Sequence, residues 1–478
     1  MRKLVLSFFS GFTIMVLELL GARMLAPYFG NSTYVWGSVI GMFMVALAIG
    51  YSLGGKLADR KRDERTLLYV LLAGIAFSLL AGAGYSHLLG ALRHLGDIKG
   101  SIVGSALLFL VPTTLLAMVS PYLIRLLFEG DKVGETAGKI YAVSTAGSIL
   151  GTFAAAFYLI PSLGIRATLF GTMGFYLLIV LVTLRAGTPA LLSILLMLLY
   201  LVPARAEVES GWAVAHETES PYNFIQVLTD GNEYRLRLNK KNSFHTVTVL
   251  DSPETDYYYD FMLLPPLTRE MRSTLILGAG AGANIRQLLS AFPGMRIDAV
   301  EIDPEVFEAG KQFFGLPDHP NVSLIVDDAR PFVRRAPSTY DLAILDAYNG
   351  GLHIPFYVMT WEYFQDIHAI LNADGMLVIN VISANEEGNR DYTLVEPIAK
   401  TLGQVFTHVY ALDHGINTLL YASNTPWEIP VLESQAISRH KVEYARFNLR
   451  VEPGAGEVLT DDRSNLDALT NRMLGSKQ

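Results

Sequence analysis

Glycines and acidic residues recur at the ends of four apolar runs, and their types and spacing suit the binding of a nucleotide-like ligand. The run at 274–277 leads into Gly278-Ala279-Gly280-Ala281-Gly282, and a helix is expected from Asn284. Glycines let backbone N–H groups approach a ligand at a helix N-terminus. The run at 296–300 ends in Glu301-Ile302-Asp303, with Glu301 19 residues beyond Gly282. An acid near that spacing holds ribose hydroxyls. The run at 322–325 ends in Asp327-Asp328-Ala329, where a carboxylate would lie near an adenine amino group. The run at 342–345 ends in Asp346, an acid that could take a proton from an attacking amine or hold the transferring group of a sulfonium. Helix capping by Asp and Asn beside a glycine turn is the plainer alternative. The strand, loop and helix context favours the nucleotide.

These turns need a scaffold that brings them together. Apolar runs at 274–277, 296–300, 322–325, 342–345 and 376–381 alternate with helical stretches, which predicts a parallel sheet wrapped by helices. In such sheets ligands bind beyond the carboxyl ends of the strands, and all the acid-bearing turns fall at that edge. Asp341 precedes its strand and is expected on the opposite side. Upstream, alternating runs at 224–227 and 234–238 flank Asp230-Gly231, a hairpin signal. The expected organisation is a β-hairpin domain at 206–270, a Rossmann-like α/β domain at 271–430 and a weakly patterned extension at 431–478. His353, His368, His408 and His414 lack metal spacing and read as ordinary surface or loop residues. The 478 residues include no cysteine, which excludes disulfides, thiolate catalysis and Cys-based zinc sites. A net charge of −8 gives no basic face for nucleic acid.

Residues 1–205 differ in kind. They are mostly apolar, with charge in short islands. A membrane span needs roughly 20 apolar residues. Candidate spans are 4–25, 33–57, 67–92, 101–128, 140–160 and 165–184, with a shorter stretch at 189–202. The expectation is an all-α transmembrane bundle of six to seven spans, not a signal peptide, because five more apolar segments follow the first. Small residues such as Gly147, Ser148 and Gly151 suit close helix packing in lipid. Lys56, Arg60, Lys61, Arg62 and Arg65 form the strongest basic island and are expected in the cytoplasm, as are Arg2 and Lys3. Seven full spans would leave the C-terminal domain outside, so 189–202 is read as re-entrant or interfacial and that domain as cytoplasmic. Glu18 and Arg23 form a polar pair in the first span, either an ion pair locking the helices or a site for a cationic amine.

The C-terminal residues resemble the polyamine aminopropyltransferases, the spermidine synthases, over about 210–430. The matching features are Ser220-Pro221-Tyr222-Asn223, Tyr258-Tyr259-Asp260 before Pro266-Leu267, the glycine loop, Glu301-Ile302-Asp303, Asp328-Ala329, Tyr340–Leu345 with Asp346, and Trp361-Glu362-Tyr363-Phe364. Residues 18–23 resemble the membrane-fused, multi-pass branch of the family. The resemblance implies decarboxylated S-adenosylmethionine as co-substrate, with no tightly bound cofactor and no metal. Its aminopropyl group goes to a polyamine, leaving methylthioadenosine. Gly278, Gly280, Gly282, Glu301, Asp328 and Asn223 would hold the donor. Asp346 and Tyr258 would be catalytic, and Asp260, Tyr348 and Trp361 would lie on the acceptor side. A homodimer is also implied.

The sequence departs from the family at several positions. Ala281 stands where the family has an Asp that binds the donor's ammonium. Asn349 and Gly350 replace an Asp-Pro after the catalytic acid. Tyr259-Asp260 replaces a His-Glu pair, and Asn223 a Gln. Without an acid at 281, intact S-adenosylmethionine escapes a repulsion with its carboxylate, and the loop's backbone donors would be open to an anion. The alternatives are therefore a lyase, an aminocarboxypropyl transferase or a methyltransferase using the intact donor. A transporter or sensor with a nucleotide-binding regulatory domain is a further alternative, suggested by the basic loop at 54–60.

Overall fold

The structure, a computed structural model, describes residues 2–30, 32–128, 132–184, 210–239, 244–250, 252, 254–348, 353–385, 388–431 and 437–474. The 189–202 stretch, Lys240, Lys241, Asn349 and Gly350 lie outside them. The chain divides into two compact units, one of residues 1–207 with 219–221 and one of 208–218 with 222–478.

The first unit is helical. Four runs, Arg2–Phe29, Thr33–Arg60, Glu64–Leu127 and Val133–Leu184, are each long and apolar enough to cross a membrane. The last two exceed the length of one crossing, about 20 residues. Each is interrupted at a glycine with positive φ, Gly96 and Gly164. Beyond Gly96 the chain returns along itself, so that Val111–Ala117 packs on Glu64–Leu92. Arg2–Phe29 packs most extensively against Val133–Ala154. A Cβ on Gly147 would lie 1.9 Å from the Phe8 carbonyl oxygen, so only glycine allows this approach. Glu18 and Arg23 share the helix Arg2–Phe29, both half-buried. Their five-residue offset turns them about 140° apart around its axis, so one helix face does not carry both.

The second unit holds two sheets. The smaller has the order β1 (Ala213–Glu219), β2 (Phe224–Thr229), β3 (Glu233–Leu238), β4 (Phe244–Val249). Its β2–β3 hairpin closes where the Asp230 carboxylate accepts from the N–H groups of Asn232 and Glu233. The larger sheet has eight strands in the order β12-β10-β11-β9-β8-β5-β6-β7. These are β5 (Ser273–Leu277), β6 (Arg296–Glu301), β7 (Val322–Val326), β8 (Tyr340–Leu345), β9 (Leu371–Ile382), β10 (His408–His414), β11 (Asn417–Ser423) and β12 (Arg450–Val451). The five strands expected from sequence, β5 to β9, pair in parallel. Most side chains of β5, β8 and β9 are buried, as in a parallel sheet covered on both faces.

The sheet is mixed rather than wholly parallel, because β11, β10 and β12 add antiparallel strands beside β9. Residues 431–478 are also more structured than their weak pattern suggests. They supply β12 and the helices Arg439–Asn448 and Leu466–Met473. Burial of Val442, Ala445, Leu466 and Met473 against the rest of the unit stabilises these helices, and short helices depend on such packing more than on propensity.

Candidate active site

From β5 the chain runs outward one way through β6 and β7, and from β8 the other way to β9. The sequence order therefore reverses between β5 and β8, and a crevice forms beyond their carboxyl ends. The two loops meet closely there. The Asp346 N–H donates to the Leu277 carbonyl at 2.9 Å. A cavity of about 470 Å³ opens at this edge, large enough for a nucleoside-sized ligand. Its walls include Asn223, Tyr258, Gly278, Gly280, Glu301, Asp328, Asp346 and Tyr348.

Burial at the end of β6 pushes the Glu301 carboxyl up to about 7. Its oxygens accept from the N–H groups of Gly280, at 3.0 Å, and Asp303, at 3.2 Å. Asn223 reaches the same corner, donating to Asp303 at 2.9 Å. Asp303 and Asp328 both cap the helices that follow them, through the N–H groups of Glu305 and Arg330. Capping and cavity lining are therefore not alternatives at Asp328, which does both. Its second oxygen accepts from the Tyr357 hydroxyl at 3.1 Å.

Asp346 sits at the centre of a polar relay. The Tyr258 hydroxyl donates to one carboxylate oxygen at 2.8 Å. The Asn380 amide donates to the other at 2.9 Å, and the Asn417 amide donates to Asn380 at 2.8 Å. Burial pushes the Asp346 carboxyl up to about 6 against these donors. Burial, and then the charge of Asp346, pushes the Tyr258 hydroxyl well above its ordinary value, so Tyr258 is a proton donor. Tyr348 is tied to β9, donating to the Asn380 carbonyl at 3.0 Å and accepting from the Ile382 N–H.

Asn380 and Asn417 were not singled out from sequence. The available signal was Asn380 itself, a fully buried polar residue inside an apolar strand. His414 also lines the cavity, where a scattered loop residue was expected.

Three expected residues lie elsewhere. Asp260 is buried outside the cavity wall, ion-paired to Lys441 at 2.7 Å and accepting from Gln287 at 2.6 Å. Trp361 opens the helix Trp361–Ala369, where its N–H donates to the Leu459 carbonyl, and it is not part of the lining. Gly282 is absent from the wall because it is turned onto Leu316, 2.4 Å from where its Cβ would be.

Ala281 also differs from expectation. It is fully buried among Ile225, Val227, Leu236 and Leu238 of the small sheet. The loop's backbone donors are engaged rather than open: Gly280 N–H with Glu301, Ala281 N–H with the Thr246 hydroxyl, and Gly282 N–H with the Ala279 carbonyl. The expected anion cradle is absent from these positions. Among the described residues, no Lys or Arg lines the cavity, whereas Asp256, Glu301, Asp327, Asp328 and Asp346 do.

A glycine loop, strand-end acids and a switch-point crevice define an α/β fold of the nucleotide-binding, methyltransferase-like type. Residues 257–421 match the spermine/spermidine synthase domain family, and the chain carries such a domain. Among curated proteins it is 28% identical over 279 residues to a probable polyamine aminopropyl transferase of Bifidobacterium longum, covering 54% of this chain and 62% of that one. A polyamine aminopropyltransferase of Vibrio vulnificus is 29% identical, covering 36% of this chain and 60% of that one. The chain thus spans a little over 60% and 60% of the lengths of these two relatives. Polyamine aminopropyltransferase 2 of Aquifex aeolicus is 22% identical over 402 residues, covering 78% of this chain and 77% of that one. A crystal structure of a probable spermidine synthase from Corynebacterium glutamicum aligns with a TM-score of 0.43 at 20% identity, covering 53% of this chain and 99% of that one.

Proposed function

We propose that this chain is a membrane-integral aminopropyltransferase whose donor is decarboxylated S-adenosylmethionine and whose acceptor is a polyamine. The observation that carries this reading is Asp346, a half-buried carboxylate fixed by Tyr258 and Asn380 at the wall of an acid-lined cavity. An acceptor amine attacks the propyl carbon bonded to the sulfonium sulfur. The new C–N bond forms as the C–S bond breaks, neutral methylthioadenosine leaves, and Asp346 takes the proton of the resulting ammonium. Glu301 holds the ribose and Asp328 the adenine. A sulfonium is already a good leaving group, so the protein's task is positioning and deprotonation.

The charge of the lining selects among donors. Acids with no described Lys or Arg favour cationic ligands. The carboxylate of intact S-adenosylmethionine would face them unpaired, and the occupied donors of the 278–282 loop offer it nothing. The helical unit suits insertion in a bilayer. The Aquifex alignment covers more of the chain than the second unit holds, which supports a membrane-fused arrangement. The basic island at 56–65 supports a cytoplasmic active site, where nucleotide donors are made.

Purified full-length protein is incubated with each donor, with and without diamines, and the nucleoside product is identified by mass. Methylthioadenosine formed only from the decarboxylated donor plus a diamine is the expected result. S-adenosylhomocysteine would mean methyl transfer, and methylthioadenosine from the intact donor alone would mean a lyase. Either outcome overturns the proposal.

Affinity for the donor is also expected to depend on pH. Asp346 is protonated at low pH and ionises as pH rises through about 6. A nearby cation favours its ionised form. Calorimetric affinity for the sulfonium donor should therefore climb through this window, while that for neutral methylthioadenosine changes much less. Parallel profiles for the two ligands would contradict the placement of Asp346 near the sulfonium.

A further inference from the structure

The turn that delivers Tyr258 is held by a cation from the other end of the unit. Lys441, on the helix Arg439–Asn448, is buried. Its ammonium lies 2.8 Å from a Glu254 carboxylate oxygen, 2.7 Å from Asp256 and 2.7 Å from Asp260. Residues 256–259 of the same turn line the cavity. Asp260 closes the turn on itself, accepting from the N–H groups of Thr255 and Asp256. Asp256 adopts a left-handed backbone, with φ of 62°, a conformation a non-glycine residue keeps only where its surroundings impose it.

Three carboxylates whose ligand atoms lie within 4.8 Å of one another repel strongly unless a cation sits among them. Lys441 supplies that cation. Without it the buried Asp260 is left unpaired, and the exposed Asp256 is free to swing outward. Tyr258, two residues on, would then lose its reach to Asp346. The other contacts on this turn do not replace the charge. His414 meets the Asp256 carbonyl at 3.1 Å and Gln287 donates to Asp260, but only Lys441 is ion-paired to all three carboxylates among the described residues.

We propose that Lys441 is a positioning residue, clamping the 254–260 turn so that the Tyr258 hydroxyl reaches Asp346. This rests on the aminopropyltransferase reading. The C-terminal segment, weakly patterned as sequence, is on this view part of the catalytic apparatus at one remove.

The test uses the full-length chain in detergent and two readouts, hydrogen exchange over 254–263 and steady-state kinetics. In Lys441→Met, exchange at Thr255 and Asp256 is expected to quicken at least about 10-fold, because both amides depend on a fixed Asp260. Turnover should fall up to about 100-fold, the scale of a small misplacement at a reacting centre, while the donor KM moves little. Lys441→Arg keeps the charge and should recover most of both. Glu254→Gln loosens the clamp without stranding Asp260, and should give smaller changes of the same sign even if Lys441→Met does not fold. Wild-type exchange in Lys441→Met, or in Glu254→Gln where that is the variant that folds, would overturn the clamp. Faster exchange with unchanged turnover would overturn the positioning role. A wild type without turnover on any donor sinks the functional reading and the positioning role with it. That result is distinct from a failed clamp, because exchange is read on its own.

Discussion

Asp346→Asn is expected to lower turnover about 10²- to 10⁴-fold, the range that a positioned general base contributes, while leaving the fold intact. The substitution keeps the shape of the side chain and removes its charge. Of its two neighbours, Asn380 must still meet an oxygen, because its own amide is oriented by Asn417. The new amide nitrogen therefore faces Tyr258, whose hydroxyl can turn and accept. The Tyr258 O–H then turns towards the cavity that this residue lines, so thermal unfolding should change little and the loss is chemical. Tyr258→Phe removes a donor that orients Asp346 and should cost less, about 10-fold. The double variant should be little worse than Asp346→Asn alone, because the two residues act as a unit. Single-turnover assays with saturating donor separate chemistry from release. Turnover by Asp346→Asn within a few-fold of wild type would remove Asp346 from the mechanism.

How much of this was legible differs from residue to residue, and the reasons are physical. The acids at the ends of β6, β7 and β8 could be read because strand direction fixes which end of an apolar run meets a ligand. Glu301, Asp328 and Asp346 accordingly share one cavity. The apolar helices could be read because composition alone sets the lengths of their runs. Asn417 could not be read, since it acts through the side chain of Asn380 on a neighbouring strand, and sequence does not show strand pairing. The β10–β11 hairpin was missed because its polar and apolar residues do not form a plain apolar run, although all of β11 is buried. Asp260 and Trp361 were assigned by resemblance. In this chain Lys441 claims the first, and the C-terminal segment meets the backbone of the second. Ala281 misled for a related reason. A loop position inferred to face the ligand is buried under the small sheet, and only the packing of two sheets within the unit reveals that.

Gly278→Val should do the most structural damage of any single change at the site. Gly278 has φ of +83°, where a branched side chain costs roughly 1–2 kcal/mol or more. Its Cβ would also lie 2.5 Å from the Asp346 carbonyl oxygen and 2.8 Å from the Ala347 Cα. Both are backbone atoms just beyond the β5–β8 pairing, where the Asp346 N–H is tied to the Leu277 carbonyl, so neither can move aside as the end of a flexible side chain would. Overpacking adds roughly 1–3 kcal/mol. Nor can the loop retreat easily, since the N–H groups of Gly278 and Ala279 both donate to the Val300 carbonyl at 3.0 Å. The strain must go into the loop that presents Gly280 to Glu301, or into Asp346. A loss of about 2–5 kcal/mol corresponds to roughly 4–20 °C in the melting temperature of a domain this size, with affinity for methylthioadenosine lost in parallel. Gly315→Ala is the control. It shares a positive φ of 65°, but the nearest atom to its Cβ is the flexible Arg286 Cδ at 3.7 Å. It bears the backbone cost alone and should keep full affinity. If Gly278→Val melted and bound like Gly315→Ala, the two loops would not meet as closely as the crevice requires.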